Sequence, residues 1–277
     1  MATLNTRVAL DMDNWNLGDP SDGWLGAANS HHFDLHAHGH TYDFGGHGFG
    51  YFGFGPFGVP VSGTVQSLTI SSHGDTEFTL TGINIGVPGL YGFLAADSFD
   101  GLETYLFRND DSITGSKYDD VLRGFTGEDQ IAGGKGADSI SGGLGADRMQ
   151  GGDGADSVVF DTALDSSSVF YDRISDFDSA HDKFVFDDAI TGVDAHIVDG
   201  RLSNRFFDVN LADATDHNHL LAHHAVLFTP DAGGHAGQTF LIVDLNGDAG
   251  YQIGEDAVIQ LTDTSHLAGF GMGNFTT

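Results

Sequence analysis

The sequence predicts an all-β chain organised around a right-handed parallel β-roll, a β-solenoid of nonapeptide repeats flanked by N-terminal and C-terminal β-rich regions. Three observations predict it. First, residues 115–159 divide into five units of nine, GSKYDDVLR, GFTGEDQIA, GGKGADSIS, GGLGADRMQ and GGDGADSVV. Second, every unit opens with Gly, carries Asp at its sixth place (Asp120, Asp129, Asp138, Asp147, Asp156) and an apolar residue at its eighth (Leu122, Ile131, Ile140, Met149, Val158). A degenerate unit precedes them, with Asp111 and Ile113 in the matching places. Third, 41 glycines and few helix-compatible stretches leave little room for an α-rich core.

Three segments follow from this, at 1–105, 106–160 and 161–277. The first begins with a possible strand over Thr6 to Met12 and a turn-rich acidic stretch. In HHFDLHAHGH (31–40), His36, His38 and His40 alternate, which on a single strand places them on one face. Next, TYDFGGHGFGYFGFGPFGVP alternates Gly with aromatics. It reads either as a flexible arm or as a glycine-thinned strand packing Phe49, Tyr51, Phe54 and Phe57, and the density of aromatics favours packing. Residues 61–86 read as a hairpin turning at HGD, with a bulge at Gly82 where the apolar parity shifts. A short helix within 88–100, with Leu90, Phe93 and Leu94 on one face, and a strand over 102–107 lead into the repeats. Beyond them, YDRISDFDSAHDKFVF (171–186) alternates apolar and polar residues, 201–223 is helix-compatible, and QTFLIVDL and EDAVIQLT pair across NGDAGYQIG.

In the repeat, a six-residue turn and a three-residue strand alternate, and two units complete one coil of a flattened solenoid. The sixth-place Asp of one unit therefore stacks on that of the next unit but one: Asp111 on Asp129, Asp120 on Asp138, Asp129 on Asp147, Asp138 on Asp156. At the strand spacing of about 4.8 Å, two bare carboxylates repel by roughly 3 kcal/mol at an effective dielectric of ~20. A divalent cation between coils turns that repulsion into ligation. Carboxylate and carbonyl oxygens, without imidazole or thiolate in the units, select Ca²⁺. Glycines at places 1, 2 and 4, among them Gly127, Gly134, Gly136, Gly143, Gly145, Gly152 and Gly154, admit positive φ and let carbonyls turn toward the ion. The first two units lack some of these glycines, so three to five calcium ions are expected, best held around Asp129, Asp138, Asp147 and Asp156. One or two more are expected in the C-terminal region, where Asp244, Asn246 and Asp248, with Glu255, resemble an EF-hand loop flanked by strands.

The formal net charge of −30 makes nucleic acid a poor partner. Cysteine is absent, which excludes disulfides. The N-terminal residues lack a conventional signal-peptide pattern, and no apolar run approaches the ~18 residues of a membrane span.

The units GSKYDD through GGDGADSVV resemble the RTX (repeats-in-toxin) family of type I secretion substrates. YDRISDFDSAHDKFVF is similar to the D-x-I-x-D-F…D-K-F segment after the repeats in serralysin-type proteins. That resemblance implies calcium ligation by Asp176 and Asp182. QTFLIVDLNGDAGYQIGEDAVIQLT is similar to the strand–turn–strand near the end of such domains. SGTVQSLTI…FTLTGINI…SITGSKYDDVL looks like the N-terminal β module of small RTX proteins. The family implies export through an ABC-transporter channel directed by an uncleaved C-terminal signal, and folding on meeting extracellular calcium. Neither H-E-x-x-H nor G-x-S-x-G occurs, so a non-enzymatic protein is expected. The expected role is a secreted structural protein that forms a homo-oligomer or polymer in a surface layer, filament or biofilm matrix. The alternative is a metal- or haem-scavenging protein using His31, His32, His36, His38 and His40, with a second group at His217, His219, His223 and His224.

Overall fold

A computed structural model describes residues 1–10, 12, 24–37, 40–52, 59–72, 75–90 and 99–277. The roll is built from two parallel strand stacks. One contains β7 (Ser112–Thr114), β9 (Gln130–Lys135) and β11 (Arg148–Asp153); the other contains β8 (Val121–Arg123), β10 (Ser139–Ser141) and β12 (Ser157–Phe160). The chain visits the stacks alternately. Ser112 pairs with Gln130 and Gln130 with Arg148, and across the roll Val121 pairs with Ser139 and Ser139 with Ser157. Each of these steps is eighteen residues, the two-unit coil that the nines predict.

The eighth place is the reason the coils stack. Leu4, Ile113, Ile131, Met149, Ile174 and Leu261 form one inward column in register, and Leu122, Ile140, Val158, Phe184 and Phe275 the other. All but Phe275 are buried, and that ring is packed against the same core. Toward the C-terminal end the filling changes from aliphatic to aromatic. Phe177 and Phe184 stack at 4.3 Å between centroids and Phe160 and Phe186 at 5.4 Å.

The roll extends past the nonapeptides in both directions. At the N-terminal end, β1 (Thr3–Thr6) lies parallel to β7, and Leu10 accepts the Val121 N–H at 2.6 Å. Residues 2–10 thereby supply a coil that no repeat encodes, with the strand at Thr3–Thr6; Asp11, within the strand expected over Thr6–Met12, lies outside the described residues. At the other end, β13 (Asp172–Ile174) pairs with β11 and β14 (Lys183–Phe186) with β12, and β18 (Ala257–Leu261) and β19 (Phe275–Thr276) pair with them in turn.

Each flank continues the larger sheet. An antiparallel meander of β2 (Trp24–Asn29), β3 (His32–Ala37), β4 (His40–Phe52), β5 (Val59–Ser72) and β6 (Asp75–Gly86) joins through β1. The Gly/aromatic segment is strand over 40–52: Phe33 stacks on Phe44 at 4.6 Å and meets Phe49 edge-on at 5.1 Å. Phe54 and Phe57 lie outside the described residues. So do Phe93 and Leu94, although residues 87–90 are helical. The β5–β6 register slips between Val65 and Ser67, opposite the bulge at Gly82, whose φ is +75°. A side chain there would collide with the Met1 carbonyl oxygen.

Residues 102–107 are not a strand. Residues 102–106 belong to helix α1 (Phe99–Leu106), whose Leu102, Glu103 and Leu106 are buried at helical spacing, with Phe107 buried just beyond it. At the opposite flank β16 (His224–Phe228) and β17 (Thr239–Val243) add antiparallel strands to β18, and β15 (Gly192–Val193) pairs parallel to β16. The outer face of β16–β18 is covered by Phe207 and Leu211 of helix α2 (Phe207–Ala214), which accounts for the nearly continuous burial along HAVLF, TFLIV and AVIQL.

Candidate metal centre

Along each edge of the roll the sixth-place aspartates make a ladder. On one edge the Asp111 N–H donates to Asp129 Oδ1 at 2.7 Å, Asp129 N–H to Asp147 Oδ1 at 2.7 Å, and Asp147 N–H to Asp172 Oδ1 at 2.8 Å. On the other edge Asp120 N–H donates to Asp138 Oδ1 at 2.8 Å, Asp138 N–H to Asp156 Oδ1 at 2.9 Å, and Asp156 N–H to Asp182 Oδ1 at 3.0 Å. The N-terminal coil starts both ladders: Ala2 N–H donates to Asp111 Oδ1 and Leu10 N–H to Asp120 Oδ1. All four stacked pairs predicted from the repeat are present. Their contact differs from the bare repulsion of the sequence picture, because one oxygen of each carboxylate is held by a main-chain N–H of the neighbouring coil.

The other oxygen is left without a partner. Oδ2 of Asp111, Asp129, Asp138, Asp147, Asp156 and Asp172 is buried and accepts no hydrogen bond. A buried carboxylate oxygen without a donor is costly, on the order of 1–3 kcal/mol or more, unless a cation meets it. The glycine at place 1 explains what surrounds it. A Cβ on Gly124 would collide with Asp129 Oδ2 and approach the Gly142 carbonyl oxygen to 2.5 Å. A Cβ on Gly133 would likewise collide with Asp138 Oδ2 and lie 2.6 Å from the Gly151 carbonyl oxygen. Carboxylate and carbonyl oxygens therefore share one space, which only Gly leaves open.

Place 1 needs Gly for this close approach and not for its φ. Positive φ belongs to place 2 (Gly134 +110°, Gly143 +85°, Gly152 +105°) and to place 4 at Gly127, Gly136 and Gly145. Gly154 is outside that region, and a Cβ there would run into the Gly136 carbonyl oxygen. In the unit without Gly at place 2, Phe125 itself takes φ +68°, its ring stacked on Phe107 at 6.3 Å. Asp120, in the unit without Gly at places 2 and 4, has its Oδ2 taken by the Ser116 N–H at 2.5 Å.

The remaining predicted residues divide. Asp182 ends its ladder, and its Oδ2 accepts the Asp178 N–H at 2.7 Å. Asp176 stands beside the ladder, accepting Gly151 N–H at 3.0 Å and Gly152 N–H at 2.9 Å. Asp244, Asn246 and Asp248 lie in the β17–β18 loop, apart from the ladders. Sequence reasoning missed Asp172, which is fully buried. Its signal is present: Asp172-Arg173-Ile174 repeats the spacing of Asp147-Arg148-Met149. Asp110 and Asp119 were missed too; they accept Glu128 N–H at 3.0 Å and Ala137 N–H at 2.8 Å from the next coil.

The histidines do not converge. His36 and His40 lie on different strands of a hairpin, which replaces the single face expected for His36, His38 and His40; His38 is outside the described residues. His32 reaches Asp43 at 2.8 Å, His36 reaches Asp34 at 2.6 Å and His40 reaches Glu77 at 3.0 Å. His219 and His224 pair with Asp216 and Asp194. His32 also reaches Asp34 at 3.4 Å, but among the described residues no three His, Asp or Glu side chains are placed to hold a metal ion. Cation ligation in the roll would rest on one carboxylate per level together with main-chain oxygens, a hard-oxygen set that fits Ca²⁺. The bound ion would supply the positive charge that the ladder lacks.

Without that charge, burial pushes the Asp129 carboxyl up to about 8, with Asp147 and Asp111 adding repulsion against the lowering effect of its hydrogen bond to Asp111. Burial is also the leading cause for Asp147, pushed up to about 7, and for Asp138, pushed up to about 6. The usual carboxyl value is 3.8, so the calcium-free folded roll binds more protons than the unfolded chain. The penalty on folding is absent below about pH 4, grows as pH rises, and is complete above about pH 8. Calcium-stripped protein is accordingly expected to gain β-type circular dichroism when taken from pH 8 to pH 5, with light scattering to detect precipitation. With calcium the order reverses, because ligation requires ionised carboxylates. An unchanged signal in the stripped protein would contradict the ladder energetics.

Fold and site define a cation-binding parallel β-roll. The family described as "RTX calcium-binding nonapeptide repeat (4 copies)" matches residues 107–140 and again 123–158, so these are RTX repeats and the cation is calcium. Comparison with curated proteins gives no match. Among solved structures, the chain is similar to the solution structure of the AlgE6R3 subunit from the Azotobacter vinelandii mannuronan C5-epimerase, at 24% identity over 61% of this chain and 78% of that one, with a TM-score of 0.39. It is also similar to the AlgE6R2 subunit of the same enzyme, at 26% identity over 59% and 91%, with a TM-score of 0.32. Both are subunits of an enzyme, which corrects the expectation of a non-enzymatic protein. The absence of H-E-x-x-H and G-x-S-x-G excludes two hydrolase arrangements and no more, and in both of these structures the likeness is to a repeat subunit. No helix among the described residues is long and apolar enough to cross a membrane.

Proposed function

We propose that the chain is a secreted protein whose folding is switched on by extracellular calcium and which then self-associates in a surface layer, filament or biofilm matrix. The observation that carries the calcium switch is the double ladder of buried aspartates with a free Oδ2. Asp129, Asp138, Asp147 and Asp156 combine that free oxygen with a place-1 glycine and give the best four sites. In low cytosolic calcium their charge, within a net −30, opposes folding and keeps the chain in the extended state that an ABC-transporter channel requires. The serralysin-like reading of 171–186 and of the final hairpin belongs to this proposal as the part that follows the repeats during export.

The arrangement of strands directs the self-association. At one end of the roll β1 and Leu10 add a coil, and at the other β18 continues into antiparallel β17, while β19 is the last strand of the five-stranded sheet. Coil-on-coil stacking, the simplest route to a solenoid filament, would use the outer edge of β19. The outer strands of the large sheet, β2 and β15, present further edges through which copies would join. Light scattering after size exclusion, with negative-stain microscopy, is expected to give monomer in chelator and larger species in millimolar calcium. A strict monomer at high concentration in calcium would remove the matrix role and leave the calcium switch standing.

A further inference from the structure

The loop from β17 to β18 holds a second set of oxygens that the ladders do not use. Asp244 and Asp256 flank the Val243–Ala257 pair at the base of the hairpin, and both are 0% exposed. Leu245 N–H, next to Asp244, donates to Asp256 Oδ1 at 3.2 Å, and the charge of Asp244 acts on the Asp256 carboxyl, so the two carboxyls lie near one another across the hairpin. Asp256 Oδ2 accepts Gln252 N–H at 2.6 Å. Asp244 Oδ1 accepts Gly247 N–H at 2.7 Å and His223 N–H at 3.2 Å. Asp244 Oδ2 accepts nothing, and the buried Gln252 Oε1 is equally without a donor. No ion pair among the described residues involves Asp244 or Asp256.

The EF-hand-like set suggested by the sequence is spent elsewhere. Glu255 Oε2 accepts from Asn246 Nδ2 at 2.6 Å, and Asn246 Oδ1 accepts from Asp248 N–H at 2.7 Å, all at the exposed tip. Two desolvated carboxyls close together without an ion-pair partner need a cation or a proton. Burial first, and the charge of Asp244 after it, push the Asp256 carboxyl up to about 7, the mark of an uncompensated site.

We propose that Asp244, Asp256 and the Gln252 side-chain oxygen form a calcium site separate from the roll. Its consequence is local order. The loop is tied to the α2–β16 connection by Gly250 N–H on Leu220 O at 2.8 Å and by Tyr251 N–H on Thr215 O at 3.1 Å, and Tyr251 OH donates to Asp208 at 2.8 Å. An ion at the hairpin base fixes the loop from which these bonds are made, so the site staples the C-terminal sheet to its covering helix. The His223 ring lies against Gly247, and its Nδ1 has no partner; this makes zinc the competing ion to test.

The experiment uses the full chain. Bound calcium is counted by equilibrium dialysis in the parent, in Asp244→Asn/Asp256→Asn, and in Asp138→Asn within the roll. The loop variant is expected to bind one calcium fewer and to keep the calcium-dependent circular dichroism transition, while Asp138→Asn shifts that transition. The milder Gln252→Ala is expected to weaken the same single site about tenfold, and calcium is expected to slow proteolysis within 246–255 in the parent. An unchanged count in the loop variant with unchanged loop proteolysis overturns the site, as does zinc binding that outcompetes calcium and is lost in His223→Ala. Failure of the roll would instead appear in Asp138→Asn, which separates the two readings.

Discussion

Stripping calcium is expected to unfold the roll and remove most of its β-type circular dichroism. Oδ2 of Asp129, Asp138, Asp147 and Asp156 is buried without a donor. At roughly 1–3 kcal/mol for each such group, four of them oppose folding on the scale of a domain's whole stability, about 5–15 kcal/mol. Each nonapeptide offers one inward side chain in return, about 1.5–3 kcal/mol, while nine residues must be ordered at about 1 kcal/mol or more each, so the apolar columns cannot offset the orphan oxygens as well. The C-terminal sheet has its own core of Phe207, Leu211, Phe228, Phe240 and Val258 and is expected to resist longer. Limited proteolysis in chelator should therefore release peptides from 106–160 before peptides from 224–261. A far-UV spectrum and a digestion pattern that are the same in chelator and in calcium would contradict this.

Gly133→Ala is expected to remove one calcium and to destabilise the roll by about 3 kcal/mol. Gly133 is not at positive φ, so alanine is acceptable to its backbone. The damage comes from the added methyl, which enters the space shared by Asp138 Oδ2 and the Gly151 carbonyl oxygen. Gly273→Ala is the control: its Cβ would meet nothing within 4 Å, and a change within about 0.5 kcal/mol is expected. Calcium stoichiometry and the calcium midpoint of the circular dichroism transition check both variants. Equal behaviour of the two would show that place-1 glycines serve only the turn and not a cation.

Much of this site is legible in the chain because it is periodic. A fixed spacing of nine places Asp six, apolar residue eight and glycines one, two and four in the same local geometry each time, and the eighteen-residue register follows from local conformation alone. Period carries no information about the residues that enter from outside it. Asp172 sits 25 residues from its ladder partner Asp147, because the inserted turn at 161–171 breaks the phase. Thr3–Thr6 pairs with Ser112–Thr114 across more than a hundred residues, and a strand of four residues carries no signal for that. LETYLF alternates well enough for a strand and is spaced well enough for a helix. Burial of Leu102, Glu103, Leu106 and Phe107 decided for the helix, since a short apolar run does not distinguish the two.

The sequence by itself determined the roll, its two apolar columns, the stacking partners of its aspartates and the preference for calcium. These follow from repeating local chemistry, in which every unit gives the same answer. Only the tertiary structure decided which oxygen of each carboxylate is free, that His36 and His40 lie on separate strands of a hairpin, opposite Thr41 and Ala37, that residues from the N-terminus extend the roll, and that Asp256 joins Asp244 at the base of the final hairpin. Each of those depends on a hydrogen bond or contact made once, between segments far apart in the chain, and a contact made once leaves no pattern to read.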